Sequence, residues 1–286
     1  MTLIDGKKVS KNILLKLSKA VNELMLSHIH PRLAVIMVGK DEASLSYVRQ
    51  KQKACDITGI EWIQFDYEET VTTEVLIEKI HELNTDVSVH GILVQLPLPK
   101  NVYTPDVIKA IDPKKDVDGF TAYNLGKMFT SREFEHLAPC TPVGVIRLLE
   151  EYKVEIEGKN VVVVGHSNIV GKPLAMMFLN RNATVTICHK YTKNLAEYTV
   201  RADILCVAVG KPNLITADMV KNGAIVIDIG INRTKEGKLV GDIDFEAVSK
   251  KASLITPVPG GVGPMTVACL MENTVKAAKR INNITY

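Results

Sequence analysis

The chain has 286 residues, 46% hydrophobic and 23% charged, with a formal net charge of +3. This length accommodates two domains of ordinary size, each with its own core. Mixed charge signs and a small excess argue against nucleic acid as a partner, and no apolar run is long enough to span a bilayer.

Five cysteines, Cys55, Cys140, Cys188, Cys206 and Cys269, are scattered and form no C-x-x-C pair. Neither a disulfide framework nor a metal site is expected, and a reducing cytoplasm is the natural location. Lys7, Lys8 and Lys11 fall inside a helical pattern at the N-terminus, so no export signal and no membrane anchor are expected.

The first element is a helix from Val9 to about His28, on which Ile13, Leu14, Leu17, Val21, Leu24 and Met25 recur at helical spacing. Leu33–Gly39 reads as a buried strand, Glu42–Thr58 as a helix stopped by Gly59, and EWIQFDY as the next strand. A helix over Thr73–Leu83 and a strand over Val89–Pro97 repeat the alternation, which predicts a parallel α/β sheet. Around Pro97, Pro99, Pro105 and Pro113 the proline density predicts an irregular stretch ending in KKDVDGF. A helix from Pro142 to Tyr152 follows. Beyond Gly158 the strands VVVV, ATVTICHK, ADILCVAVG, GAIVIDIGI and SLITPVP alternate with helices, as in a doubly wound domain. The last helix is expected from Met265 to about Arg280, packing back on the first domain.

Val161–Pro173, VVVVGHSNIVGKP, is a buried strand, a polar turn between Gly165 and Gly171, and an apolar helix. Glycines let the backbone approach a pyrophosphate, and the free N–H groups opening the helix favour an anion. The spacing is G-x-S-x-x-x-G, and Lys172 is followed by Pro173, so a nucleoside-triphosphate loop fits poorly. About twenty residues on, where an NAD enzyme carries an acid for the ribose 2′-hydroxyl, the chain has Lys190. A cation suits the 2′-phosphate of NADP, although a lysine after a strand is also an ordinary surface residue.

Ser44, Tyr47 and Lys51 stand three and four apart on one helix and project from nearly one face. Burial disfavours a charged ammonium and a neighbouring hydroxyl can orient it, which makes a catalytic pairing; the same spacing occurs on ordinary amphipathic helices. Gln95 interrupts an apolar strand near its carboxyl end, and needs partners if buried, from backbone or from a site. Asp116 and Asp118 alternate, so at most one faces a site if the segment is extended. Asp118 suits the donor-donor edge of a guanidine-like ring, while Asp-Gly is also a common turn. PVPGGVGPMT is rigid and glycine-rich, better matched to a loop lining a ligand than to a linker.

Taken in order, YVRQKQKACDITGI, GILVQLPLP, DPKKDVDGF, PCTPVGVIRLL, VVVVGHSNIVGKP, VIDIGIN and TPVPGGVGPMT resemble the bifunctional methylenetetrahydrofolate dehydrogenase/cyclohydrolase family over nearly the full chain. The resemblance implies an N-terminal α/β substrate domain, residues 1–139, a doubly wound Rossmann-type NADP domain, residues 140–264, a cleft between them, and a C-terminal helix, 265–286, returning to the first. It implies oxidation of 5,10-methylenetetrahydrofolate by NADP⁺ and hydrolysis of the methenyl product to 10-formyltetrahydrofolate. Lys51 would be the essential catalytic residue, adjusted by Gln95, with Tyr47 along the aminobenzoyl ring and Asp118 on the pterin. Ser44, Pro259, Gly260 and Gly261 complete the substrate set; Gly165, His166, Ser167, Lys190 and Ile231 match cofactor contacts. A homodimer is implied as well. Some members carry Arg where this chain has His166, which removes one grip on a phosphate. A dehydrogenase of the same architecture without the hydrolase step, a shikimate-dehydrogenase-like enzyme and a silent NADP or folate sensor are the alternatives; KDVDGF and PGGVGPMT favour the bifunctional folate enzyme.

Overall fold

The computed structural model describes residues 1–234 and 236–284. The last two residues of the expected C-terminal segment therefore lie outside the described residues. A two-residue strand β1 (Thr2–Leu3) leads into α1 (Gly6–Leu26), β2 (Arg32–Val38), α2 (Glu42–Thr58), β3 (Glu61–Tyr67), α3 (Thr73–Thr85) and β4 (Gly91–Val94). Three helices follow, α4 (Thr104–Lys109), α5 (Ala122–Thr130) and α6 (Cys140–Glu151). Alternation resumes with β5 (Asn160–Val164), α7 (Gly171–Leu179), β6 (Thr184–Cys188), α8 (Leu195–Thr199), β7 (Ile204–Val207) and β8 (Ile225–Asp228). A small hairpin, β9 (Asn232–Arg233) and β10 (Leu239–Val240), precedes α9 (Phe245–Ser249), β11 (Leu254–Ile255) and α10 (Val262–Ile281).

Packing divides the chain into two compact units. One contains Lys11–Lys127, Glu133–Cys140 and the chain from Val267 on; the other contains Met1–Ser10, Met128–Arg132 and Thr141–Thr266. The first is built on a parallel three-stranded sheet in the order β3-β2-β4. Leu33–Val38 and Gly91–Val94 are buried throughout, as continuous apolar runs in a parallel sheet should be. Ala34, Ile36, Ile92 and Val94 share one core with Leu76, Ile80 and Leu83 of α3. Gly91 has a steric reason: a Cβ there would lie 2.8 Å from Val117.

The second unit carries six parallel strands in the order β1-β11-β8-β7-β5-β6, the doubly wound arrangement expected. Val162, Val164, Leu205, Val207 and Val226 form its core with residues from the flanking helices.

Several expected boundaries shift, each for a local reason. The irregular proline stretch contains α4, because Pro105 falls in the first turn, where a missing N–H breaks no helical bond. Pro264 likewise lies in the first turn of α10, so that helix opens at Val262 rather than Met265. The ladder of β4 stops at Val94, short of the expected Pro97, since neither Pro97 nor Pro99 has an N–H to donate. The strand β1 was hidden by its brevity: two residues show no alternation.

Candidate functional site

Helix α2 starts where Asp41 accepts the amide of Ser44 (2.8 Å) and ends at Gly59, whose φ of 80° is left-handed. Ser44, Val48, Lys51, Cys55 and Thr58 form its buried stripe, at alternating steps of four and three. Lys51 thus occupies a position that packing alone would give to an apolar residue, and it is only 6% exposed. Its Nζ donates to Oε1 of Gln95 at 2.9 Å, and Gln95 Nε2 donates to the carbonyl of Leu96 at 2.6 Å. Both ends of the amide are therefore fixed, and the acceptor faces the ammonium. Gln95 is one residue beyond β4, still tied to the ladder through its amide to Ile36 O (2.9 Å). Tyr47 is half-buried on the neighbouring row, and burial pushes its phenol up.

The segment 115–121 lies beside β4: Ile92 donates to Lys115 O (2.8 Å) and bridges Asp116. Asp116 is turned inward. Its Oδ1 accepts the amides of Gly119 (2.9 Å) and Phe120 (3.1 Å), and its Oδ2 the amide (2.9 Å) and hydroxyl (2.7 Å) of Thr121 and Nδ2 of Asn124 (2.8 Å). This carboxylate builds the loop that carries Asp118. Gly119 is required there, with φ of 73° and no room for a Cβ, which would lie 2.5 Å from Ala138 C.

Asp118 itself keeps partial exposure. Its carboxyl is pushed up by desolvation and by the charge of Asp116, while Lys51 and the thiol of Cys140 oppose the shift. Lys51, Gln95 and Asp118 therefore belong to one electrostatic group within this unit. Three members of its frame were not read from the sequence. Cys140 lies against Val117 O (3.3 Å), with its thiol held well up by burial and then by Asp118. Asn273 of α10 donates to Val117 O (2.9 Å) and Ala138 O (3.1 Å), fixing the backbone on both sides of the loop. Lys115 is buried, donating to Leu83 O (2.8 Å) and Asp86 O (2.7 Å) near the end of α3, and burial pushes its ammonium down. Asn273 left a signal in sequence, an amide inside an apolar helix.

In the six-stranded unit, Gly165 leaves β5 with φ of 122°, and its Cβ would lie 2.3 Å from Ala208 O. A Cβ on Gly171 would lie 2.1 Å from Gly165 O. The two glycines pack backbone on backbone, so the turn has one shape. Its anion-receiving groups differ from expectation. The amides opening α7 are already occupied: Ser167 Oγ accepts from Val170 (3.1 Å) and Gly171 (3.4 Å), and Ser167 O from Lys172 (3.1 Å). Among the described residues, the amides of His166, Ser167, Asn168 and Ile169 donate to no protein group, which leaves them available to an anion.

His166 is exposed at the end of β5, and its ring lies 4.9 Å from that of His189 at the end of β6. Lys190 is exposed with its Nζ 4.8 Å from the Tyr191 ring centre. No acid follows β6. The glycine turn, free amides and exposed cation fit a dinucleotide with a 2′-phosphate. Ile231, 43% exposed, follows β8. Pro259 is exposed and Gly260 and Gly261 buried in the loop before α10, where Gly260 O accepts the amide of Lys7 (3.1 Å). This loop belongs to the six-stranded unit, whereas Ser44, Tyr47, Lys51, Gln95 and Asp118 belong to the other.

Residues 4–118 match the family model described as tetrahydrofolate dehydrogenase/cyclohydrolase, catalytic domain, and residues 139–282 match the NAD(P)-binding domain of the same name. The chain is 56% identical over 279 residues to the bifunctional protein FolD of Nautilia profundicola, covering 98% of each. It is similar to the crystal structure of the bifunctional FolD methylenetetrahydrofolate dehydrogenase/cyclohydrolase of Campylobacter jejuni, with TM-score 0.96, 51% identity, and coverage of 98% of this chain and 99% of that one. The Trypanosoma brucei N5,N10-methylenetetrahydrofolate dehydrogenase-cyclohydrolase, solved with NADP cofactor and an inhibitor, aligns at TM-score 0.95 and 37% identity over 98% of both chains.

Proposed function

Because the chain belongs to the tetrahydrofolate dehydrogenase/cyclohydrolase family, we infer that it is the bifunctional one-carbon folate enzyme: it oxidises 5,10-methylenetetrahydrofolate with NADP⁺ and hydrolyses the methenyl product to 10-formyltetrahydrofolate. NADP⁺, when bound, supplies the hydride acceptor. The amides of residues 166–169 and the side chains of His166, Ser167, Lys190 and Ile231 would hold it, with Gly165 and Gly171 keeping the turn open to it.

Hydride loss leaves positive charge shared between two folate nitrogens, so this step depends on placement more than on a strong acid or base. Asp118 orients the substrate by accepting from the donor-donor edge of the pterin, Tyr47 flanks the aminobenzoyl ring, and Ser44 bounds the rest. Hydrolysis demands more of the protein. Water must lose protons as its oxygen bonds to the methenyl carbon, and the nitrogen released when the ring opens must gain one. Lys51 can serve these transfers because Gln95 Oε1 holds its Nζ in place at 2.9 Å inside a buried stripe. That contact carries the reading.

The decisive measurement supplies purified protein with NADP⁺ and methylenetetrahydrofolate and follows the methenyl absorbance and its decay. Lys51→Met should lower hydrolysis by about a thousandfold with unchanged far-UV and thermal profiles. Unimpaired hydrolysis in that variant rejects the role. We further propose a cytoplasmic homodimer. The five cysteines are buried and none is in a disulfide, which suits a reducing compartment, and β6, at one edge of its sheet, offers a strand for pairing; sedimentation at the monomer mass would reject the dimer.

A further inference from the structure

Two buried carboxylates of the six-stranded unit lie outside the groups assigned above. Asp242, between β10 and α9, has no exposed surface. Its Oδ2 accepts the amides of Val209 (2.7 Å) and Gly210 (2.9 Å); its Oδ1 accepts the amide of Lys211 (2.8 Å) and Nδ2 of Asn232 (2.8 Å). Three successive N–H groups converging on one carboxylate make an anion nest filled by the protein itself. Asp228, the last residue of β8, mirrors this: Oδ1 accepts the amides of Gly230 (3.0 Å) and Asp242 (3.0 Å), and Oδ2 that of Ile243 (3.2 Å). The fit leaves no slack. A Cβ on Gly230 would lie 2.2 Å from the carboxyl carbon of Asp242, and one on Gly241 1.8 Å from Oδ2 of Asp228.

These bonds fix the chain after β7, at residues 209–211, and the chain after β8, at residues 230–232. Both are carboxyl ends of parallel strands, where a doubly wound sheet takes its ligand. The strand order sets which end of a dinucleotide they meet. With the 2′-phosphate at β6 and the pyrophosphate at β5, continuing along the order β6-β5-β7-β8 brings the nicotinamide half to β7 and β8. Neighbouring buried carboxylates are costly: desolvation pushes Asp228 up to about 6, the amide of Asp242 opposes the shift, and the charge of Asp242 adds to it. An ordinary turn needs no such pair.

We propose that Asp242 is a positioning residue of the dehydrogenase half-reaction, clamping the 209–211 backbone to Asn232 so that these segments and the adjacent Ile231 receive the nicotinamide end of NADP. This rests on the cofactor reading given above, and the hydrolysis of methenyltetrahydrofolate, which consumes no nucleotide, serves as an internal reference. In full-length Asp242→Asn, where an amide N–H₂ replaces one acceptor oxygen, the KM for NADP⁺ should rise about tenfold or more while hydrolase kcat/KM stays within about twofold. An unchanged KM overturns the proposal. Should that variant fail to fold, Asn232→Ala decides, since it leaves the nest intact: a rise of about threefold in the KM for NADP⁺ with unchanged hydrolysis supports the clamp, and no rise rejects it. Gly165→Ala and Lys190→Ala probe the cofactor face itself. If they leave NADP kinetics untouched, the face is misassigned; if they impair them while Asp242→Asn and Asn232→Ala do not, only the clamp is rejected.

Discussion

In the three-stranded unit the proposed catalytic and substrate-binding side chains are largely withdrawn from water. Lys51 is 6% exposed and bonded to Gln95, and Asp118 has its carboxyl pushed up by burial. In the six-stranded unit the groups proposed to face the cofactor are unpartnered backbone amides of residues 166–169 and exposed side chains, His166 and Lys190 among them. The contrast follows from the two tasks. Moving protons during hydrolysis calls for a titratable group whose position and solvation are both controlled, which only packing and fixed partners provide. Holding a large polyanion calls for many donors and a backbone that can approach closely, which glycines and turn amides provide.

This difference is broken most sharply by giving the cofactor turn a side chain. Gly165→Ala places a methyl 2.3 Å from Ala208 O at a φ of 122°, so the turn must move. The KM for NADP⁺ should rise at least about a hundredfold, the turn losing its single shape, while nucleotide-independent hydrolysis survives. Steady-state assays of both reactions on one preparation measure it. Parallel loss of the two activities would mean that the units are not chemically separable in this way.

The buried side is sharpened by Asp118→Ala. Removing the carboxylate should raise the folate KM about tenfold to a hundredfold, with a far smaller effect on the KM for NADP⁺. A pH series adds a signature. The ionised carboxylate is the better acceptor for two N–H donors, and desolvation raises its pKa, so wild-type folate binding should weaken as pH falls, beginning at higher pH than for an ordinary carboxylate. In Asp118→Ala that limb should vanish. A folate KM unchanged by the substitution removes Asp118 from the pocket.

Legibility in the sequence divides along the same line. Helix α2 was readable because Gly59 stops it, Lys51 stood out by its spacing from Ser44 and Tyr47, and Gln95 as an amide in an apolar strand. The glycine turn was visible for the same local reason. What stayed hidden depends on partners far away in sequence. Asn273 meets Val117 across 156 residues, and Asp242 meets Val209 across 33, so even where a polar residue stands out, as Asn273 does in its apolar helix, its neighbours do not name its partner. Ser167 shows the limit within a motif: spacing marked the turn, but not that its own hydroxyl and carbonyl occupy the amides opening α7.

The smallest expected effect tests the most exposed residue. Lys190 has no ion-pair partner among the described residues and rests its Nζ 4.8 Å from the Tyr191 ring centre, free to meet a phosphate in solvent-rich surroundings. Such a contact is worth about 1 kcal/mol, so Lys190→Ala should lower the preference for NADP⁺ over NAD⁺, as a ratio of kcat/KM values, by about fivefold, less at high salt. The effect should appear in the KM for NADP⁺ and leave that for NAD⁺ nearly unchanged, since only NADP⁺ carries the 2′-phosphate. An unaltered ratio would shift recognition to the neighbouring imidazoles of His166 and His189, whose rings lie 4.9 Å apart at the ends of the same two strands. The cofactor face would then read its phosphate through imidazole hydrogen bonds more than through a lysine, and its contrast with the buried lysine site would be one of burial alone.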